Sequence, residues 1–558
     1  MRLTPGRSFG PIAYGGSWLA LALLPFAPET GLFLRSSSDI KYFGPICYYE
    51  GIVSFLLLAP ALLLPRILSR AWVIVVGGGM GLATLTVGFY AACFGARWNL
   101  TAHAAMMQTN RNQAREFMMN FASPGVLAWM ALLAAGFAAG IVVNVRSTPP
   151  RGGVRLGVTL LGAAASAYGI GHAIHYGGVV VRRVWLSPTR SITTVEPSYN
   201  KFHPVTLLAM SHYNYRATHQ FYLKQYRDVA RHRQELAGAR PIPGAVCPRL
   251  IVVVIGESAN RLHWSLYGYP KRTTPRLDAE AGELEVFSDV ICTWAATIIS
   301  IRDMLTTTED AVPSFPLFSQ AGYTTHWFSA QFNQGGGDLE LNAMVLSCNQ
   351  RMYLNGVYDE NLEPLVARVV AAPGKQMIFA QLFGSHVRYL DRYPTRFNVF
   401  HAADDGGPLR SSYDNSILYT DTVLTDLIEM LRKRHESSCL FYVSDHGEDV
   451  LDSRPDKYLF RDESLATDPM YEVPCFVWFS PEYRRENAAF VAAVAAARNR
   501  KYQNRALYQA LLDLARLRHP LYNPRDSLLS PDFVERPRRV GVMGRVYRGA
   551  PTPAVYGH

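Results

Sequence analysis

Three apolar stretches, rich in β-branched and aromatic residues, each run straight into side chains that bind metals or move protons. Ile251-Val252-Val253-Val254-Ile255 is followed by Gly256-Glu257-Ser258. Cys439-Leu440-Phe441-Tyr442-Val443 leads into Ser444-Asp445-His446-Gly447-Glu448, and Met377 to Phe383 leads into Gly384-Ser385-His386. A short continuous apolar run closed by glycine is the pattern of a strand covered on both faces, as inside a parallel sheet. Residues just past such strands lie at the carboxyl end of the sheet, where open α/β folds carry their chemistry. The pattern predicts that Glu257, Asp445, His446 and His386 reach one edge of one sheet.

From residue 246 onward strand and helix patterns alternate. Strands are expected at 250–255, 285–290, 323–329, 376–383, 439–443 and 474–479, and helices at Thr297–Thr307, Tyr358–Ala372, Ser412–Arg434 and Tyr502–Leu517. The expected fold of 246–558 is an α/β/α sandwich with a largely parallel sheet.

The first third of the chain is different. Of the 558 residues 49% are hydrophobic and only 18% charged, and the apolar ones crowd into five segments. Those at 11–28, 47–65, 72–95, 124–145 and 154–176 are each long enough to span a bilayer, the first being interrupted by prolines. It resembles a signal peptide in part but has no clear small-residue cleavage site. Arg2 and Arg7, Arg66 and Arg70, and Arg146, Arg151 and Arg155 fall in alternate connections. The positive-inside rule puts these in the cytoplasm and everything after the fifth span outside it. The expected organisation is a five-helix transmembrane domain (1–176), a bridging segment (177–245) and an exported catalytic domain (246–558). In a bacterium this is a multi-pass inner-membrane protein with its catalytic domain in the periplasm. The loop at about 102–121 carries Met106, Met107, Phe117 and Met118 at helical spacing. It reads either as an amphipathic helix on the membrane surface or as one packed on its own soluble domain. Glu50 is an ionisable group near lipid, suited to a headgroup or to interfacial water.

The net charge of +11 needs no nucleic acid, because arginines flank the apolar segments and no RNA-binding or zinc-finger motif appears. The seven cysteines, Cys47, Cys93, Cys247, Cys292, Cys348, Cys439 and Cys475, show no CxxC spacing. One or two disulfides are expected in an oxidising compartment, with unreadable connectivity.

The motifs Gly256-Glu257-Ser258-Ala259-Asn260, Ser265-Leu266-Tyr267-Gly268-Tyr269-Pro270 and Thr273-Thr274-Pro275-Arg276-Leu277 resemble the opening block of the bacterial phosphoethanolamine transferases. These are membrane-anchored members of the alkaline phosphatase/sulfatase superfamily. Gly384-Ser385-His386, Tyr413-Asp414-Asn415-Ser416, Ser444-Asp445-His446-Gly447-Glu448 and Tyr471-Glu472-Val473-Pro474 continue the resemblance. So does Met107-Gln108-Thr109-Asn110 with Glu116-Phe117, which is similar to the family's periplasmic substrate-side helix. The resemblance implies a catalytic threonine at Thr297 and a Zn2+ held by Glu257, Thr297, Asp445 and His446. It also implies substrate contacts from His386, Thr109, Asn110 and Glu116. The implied partners are phosphatidylethanolamine as donor and an envelope glycolipid or glycan as acceptor, with the chain acting as a membrane-embedded monomer.

Carboxylate oxygens and imidazole nitrogen are zinc donors, and a metal-activated hydroxyl is a nucleophile near neutral pH. Taken singly, Glu257 reads as a capping or ion-pair carboxylate, Asp445-His446 as a hydrogen-bonded pair, and Thr297 as structural, with Thr293 a nearby competitor. Their joint arrival beside strand ends favours a site. Arg302 suits either a phosphate contact or a pairing near Asp303. The chain also departs from the pattern of many relatives. Gln381 stands where they carry a histidine, 449–470 holds no histidine, and a cysteine pair around the nucleophile is reduced to Cys292. These departures point away from the lipid A-modifying subgroup and toward relatives acting on core sugar or glucan. They also predict a single tightly held ion unless Asp452, Asp462 or Glu463 supplies a second site. Competing classes are a glycerol-phosphate transferase using phosphatidylglycerol, a sulfatase, and a non-catalytic membrane scaffold. The sulfatase reading lacks the Cys/Ser-x-Pro-x-Arg context around Thr297.

Overall fold

The computed structural model describes residues 9–28, 51–94, 122–150, 152–185, 203–227, 236–307, 312–331, 339–401 other than 355 and 357, 407–453, 466–541 and 544–549, with isolated residues between 98 and 119 and at 231 and 234. The chain divides into two compact units, Met1–Thr218 and His219–His558.

The first unit is helical. Its main helices are α1 (Pro11–Leu23), α2 (Arg66–Phe94), α3 (Pro124–Arg146), α4 (Gly152–Trp185) and α5 (Pro204–Arg227), the last continuing past the division. Among the described residues α2 and α3 are long and apolar enough to cross a membrane, while Pro11–Phe26 and Gly51–Leu63 are shorter apolar helices. Two of the five expected spans are therefore matched in length. Pro25 opens a tight 3-10 turn at the end of the first, and the second begins outside the described residues. The fifth falls on α4, whose side chains are described only to Tyr168. Glycines let these helices approach: a Cβ on Gly140 of α3 would lie 3.0 Å from Leu21 of α1. Where the amphipathic helix is expected, His103 is buried while Met106, Met107, Met118 and Met119 are exposed.

The second unit is built on a seven-stranded sheet of β1 (Leu250–Gly256), β2 (Leu284–Val286), β3 (Tyr323–Ser329), β4 (Gln350–Tyr353), β5 (Lys375–Gln381), β6 (Ser438–Ser444) and β7 (Cys475–Phe479). Their order is β2-β7-β6-β1-β5-β3-β4. The five strands from β6 to β4 are parallel, and β7 runs against both its neighbours, so the sheet is mixed. Every residue of β1 and β6 is buried. That is what two helical layers over a central parallel pair require. One core packs Ile251, Val253, Phe441 and Val443 beneath one face, and the other packs Val252, Val254, Leu440 and Tyr442 beneath the opposite face. The odd-even split is the period-2 alternation of a strand.

The expected strand at 285–290 is two strands. Leu284–Val286 joins the main sheet, whereas Asp289–Ile291 pairs with Lys501–Gln503. That second pairing keeps 501–503 extended, so the helix expected from Tyr502 begins at Tyr508. No disulfide forms among the six described cysteines. Cys439 and Cys475 lie on adjacent strands, but Cys475 pairs with Val443, four residues along from Cys439. That offset is about 13 Å, far beyond the reach of a disulfide.

Candidate active site

In the register of β1 with β6, Gly256 is paired with Ser444, so Glu257 and Asp445 leave the sheet side by side. The turn after β1 is sharp. Ser258 adopts φ +55°, and its N–H donates to Asp445 Oδ1 at 3.1 Å. The same oxygen accepts from His446 N at 2.7 Å, and Asp445 N donates to Gly256 O at 3.1 Å. The two strand ends are thereby locked to each other by backbone donors.

Glu257, Asp445 and His446 are all buried, and one donor atom of each lies within 4.8 Å of the others. His446 Nδ1 lies 2.7 Å from Gly447 O. A carbonyl only accepts, so Nδ1 carries the proton and Nε2 presents its lone pair to the cluster. Helix α6 (Thr297–Leu305) begins at the same point. Ser300 Oγ in its first turn donates to Asp445 O at 2.5 Å. This docking sets Thr297 Oγ1 3.0 Å from Glu257 Oε2, 3.3 Å from Oε1 and 3.2 Å from His446 Nε2. Thr297 is half-buried. The residue before it, Ala296, offers no capping side chain, which leaves the first-turn N–H groups available to phosphate oxygens.

Two buried carboxylates in one cluster repel each other and lack water. Burial first, and then the Glu257 charge, push the Asp445 carboxyl up from 3.8 to about 7. Asp445 Oδ2 makes no hydrogen bond. Carboxylate oxygens from Glu257 and Asp445, the unsatisfied Oδ2 among them, with an imidazole nitrogen and a hydroxyl beside them, suit a divalent cation, and oxygen and nitrogen donors of this kind fit zinc.

His386 lies on the loop beyond β5 and is only partly buried. The loop is pressed against β1: Ser385 N donates to Glu257 O at 3.0 Å, and a Cβ on Gly384, φ +47°, would meet that oxygen at 2.8 Å. The buried Asp359 carboxylate holds the same loop through Phe383 N at 2.6 Å and Gly384 N at 3.0 Å. The imidazole of His386 packs on the Phe383 ring, and its Nδ1 lies 3.5 Å from Val387 O. Thr293 is buried, and its hydroxyl makes no hydrogen bond to the cluster. Arg302 Nη2 lies 3.9 Å from Asp303. Asp452 is engaged elsewhere, by His263 at 3.2 Å and Arg410 at 3.3 Å. Thr109, Asn110, Glu116, Asp462 and Glu463 lie outside the described residues.

Two supports were not singled out from sequence. Ser258 Oγ donates to Glu257 Oε1 at 2.7 Å, and Gln331 Nε2 donates to Glu257 Oε2 at 3.0 Å. The only signal for Gln331 was its place two residues past the end of an expected strand.

Residues 249–516 match the Sulfatase family. Phosphoethanolamine transferase EptC of Escherichia coli K12 is 33% identical over 322 residues, which cover 53% of this chain and 55% of that one. The chain thus matches about half the length of such curated relatives. The C-terminal periplasmic domain of Escherichia coli EptC, solved in complex with Zn, aligns at 30% identity with a TM-score of 0.51, over 55% of this chain and 92% of that domain. The integral membrane protein lipooligosaccharide phosphoethanolamine transferase A of Neisseria meningitidis aligns over 94% of this chain and 99% of its own with a TM-score of 0.66, and at 18% identity it speaks for the fold. Residues 249–516 thus form a sulfatase-type domain that belongs with the periplasmic domains of the bacterial phosphoethanolamine transferases.

Proposed function

We propose that the chain is a zinc-dependent transferase that moves phosphoethanolamine from phosphatidylethanolamine to an envelope glycan or glycolipid. The observation that carries this reading is the Thr297 hydroxyl at the start of α6, 3.0 Å from Glu257 and 3.2 Å from His446. Glu257, Thr297, Asp445 and His446 would hold the ion. When bound, zinc supplies Lewis acidity that favours the ionised form of a neighbouring hydroxyl.

Thr297 Oγ1 attacks the phosphorus of the donor phosphodiester, and the bond from phosphorus to the diacylglycerol oxygen breaks. The proton lost by Thr297 ends on that oxygen, releasing diacylglycerol and leaving phosphoethanolamine on Thr297. An acceptor hydroxyl or phosphate oxygen then attacks the same phosphorus, the bond from phosphorus to Thr297 Oγ1 breaks, and Oγ1 takes up a proton, restoring Thr297. The first-turn N–H groups of α6 stabilise the phosphate oxygens as charge builds on them. His386 contacts the substrate phosphate from the β5 side, and Thr109, Asn110 and Glu116 contribute from the substrate-side helix. Five spans anchor the chain in the inner membrane with residues 246–558 in the periplasm, and the chain works as a monomer.

The decisive experiment gives purified protein a phosphatidylethanolamine with a labelled headgroup. The Thr297 peptide should gain one phosphoethanolamine mass, diacylglycerol should appear, and Thr297→Ala should abolish both while Thr293→Ala keeps both. Transfer by Thr297→Ala at the wild-type rate would sink the assignment.

A further inference from the structure

The Glu257 carboxylate stands at the end of a side chain with three rotatable bonds, so its orientation has to be held by contacts. Ser258 Oγ holds Oε1. The other oxygen, besides its contact with Thr297 Oγ1, accepts from Gln331, which lies just past the end of β3. Its Nε2 carries two hydrogens and has two acceptors in reach, Glu257 Oε2 at 3.0 Å and Leu382 O at 2.9 Å. Leu382 is itself tied to β1, its N–H donating to Ile255 O at 2.9 Å. One amide group therefore bridges the chain leaving β1 and the chain leaving β5.

Gln331 is in turn fixed at its backbone. Its N–H donates to Ser329 Oγ at 3.1 Å, and that hydroxyl donates to Gln381 Oε1 at 2.8 Å. Ala330 N also donates to Gln381 O at 2.9 Å. Gln381 is almost fully buried, so this anchor is shielded from water. The chemistry of the bridge matters as much as its geometry. A lysine or arginine at 331 would neutralise Glu257 and compete with a metal cation for it. A neutral amide aligns the carboxylate and leaves its charge for the metal.

We infer that Gln331 is a positioning residue for the metal-binding carboxylate of Glu257, holding it in the orientation in which it meets a divalent cation. The inference rests on the metal-site reading of Glu257, Asp445 and His446. The test uses full-length protein in detergent, stripped of metal and titrated with Zn2+ against a chromophoric chelator. Co2+ absorption reports the coordination geometry, and thermal melting of the metal-free protein reports folding. Gln331→Met keeps the length and removes both donors, and Gln331→Asn keeps the amide on a shorter stem. Gln331→Met should weaken Zn2+ binding about 10–100-fold and change the Co2+ bands, with metal-free melting unchanged. Gln331→Asn should fall between it and the wild type. Wild-type affinity in Gln331→Met overturns the inference, as does weakened binding fully accounted for by a lower metal-free melting temperature. If Gln331→Met fails to fold, wild-type affinity in Gln331→Asn overturns it and weaker affinity with unaltered melting upholds it. Wild-type protein that binds no Zn2+ would instead refute the metal-site reading itself.

Discussion

Replacing Asp445 by asparagine should stabilise the metal-free protein while destroying its affinity for metal, and the gain should depend on pH. Burial and the neighbouring Glu257 raise the Asp445 carboxyl from 3.8 to about 7. A tenfold change in an ionisation constant is worth about 1.4 kcal/mol, so ionising Asp445 inside the fold costs on the order of 4 kcal/mol relative to the unfolded chain. Well below pH 3.8 the carboxyl is neutral in both states and nothing is lost. As pH rises from about 4 to about 7 the unfolded chain ionises first, so the native state loses stability steadily, and above about 7 the loss levels off.

Asparagine keeps Oδ1 for the Ser258 and His446 N–H groups. It places an amide nitrogen where Oδ2 has no hydrogen bond and where His446 Nε2 lies 3.6 Å away. The variant should melt within about a degree of wild type at pH 4 and some 5 °C or more above it at pH 8, at roughly 2 °C per kcal/mol for a unit of this size. The assay is intrinsic-fluorescence melting of chelator-dialysed full-length protein across that range, repeated with Zn2+. Added Zn2+ should raise the wild type and leave Asp445→Asn unmoved. A melting difference that is flat with pH, or that favours aspartate at pH 8, would refute the account of a carboxylate strained for want of a cation.

Gly447→Ala should cut both transfer and stability, by about 2 kcal/mol or more, because its Cβ would come within 2.3 Å of Pro469 O and 2.7 Å of Glu472 O, displacing the chain that carries His446; activity with melting of the purified variant checks this. Elemental analysis after dialysis should find one zinc per chain. His446→Ala should lose it, while His386→Ala should slow transfer and keep it. A phosphatase fused after His558 should be active in the periplasm, and a cytoplasm-only fluorescent reporter at the same place should stay dark.

The part of this architecture written most plainly in the sequence is the part where one interaction dominates. Burial on both faces forces β1, β5 and β6 into continuous apolar runs, and these appear as expected, in parallel and adjacent. Where burial is weak the signal fades. β4 is an edge strand, Gln350–Tyr353, with mostly exposed side chains, and its polar sequence carries no strand periodicity. The break between Val286 and Asp289 was hidden because both halves are apolar enough for one strand, and only the partner each finds separates them. Within the site, Glu257, Asp445 and His446 were legible as residues following strands. Thr297 rested on resemblance, since nothing local marks a threonine as touching a glutamate 40 residues away. Gln331 was invisible for a related reason: a lone glutamine after a strand has many uses, and only the approach of β1 and β5 gives it this one.

That contrast separates what sets the position of the ligands from what sets their orientation. The positions follow from strand register and from backbone donors: Ser258 N and His446 N to Asp445 Oδ1, Asp445 N to Gly256 O, and Ser300 Oγ to Asp445 O. None of these bonds requires a metal, so the frame stands without one, and an ion entering it meets donors already gathered. The orientations of Glu257 and His446 draw instead on side-chain contacts, among them those from Ser258 Oγ and Gln331 to the one and from Gly447 O to the other. A substitution in the frame should therefore appear in folding and metal binding together, whereas one at an orienting contact should appear in metal affinity and catalysis alone. Ser300→Ala, which removes a bond of the frame, and Gln331→Met, which removes an orienting contact, fall on opposite sides of that line, and measuring both on one preparation would show whether the line is real.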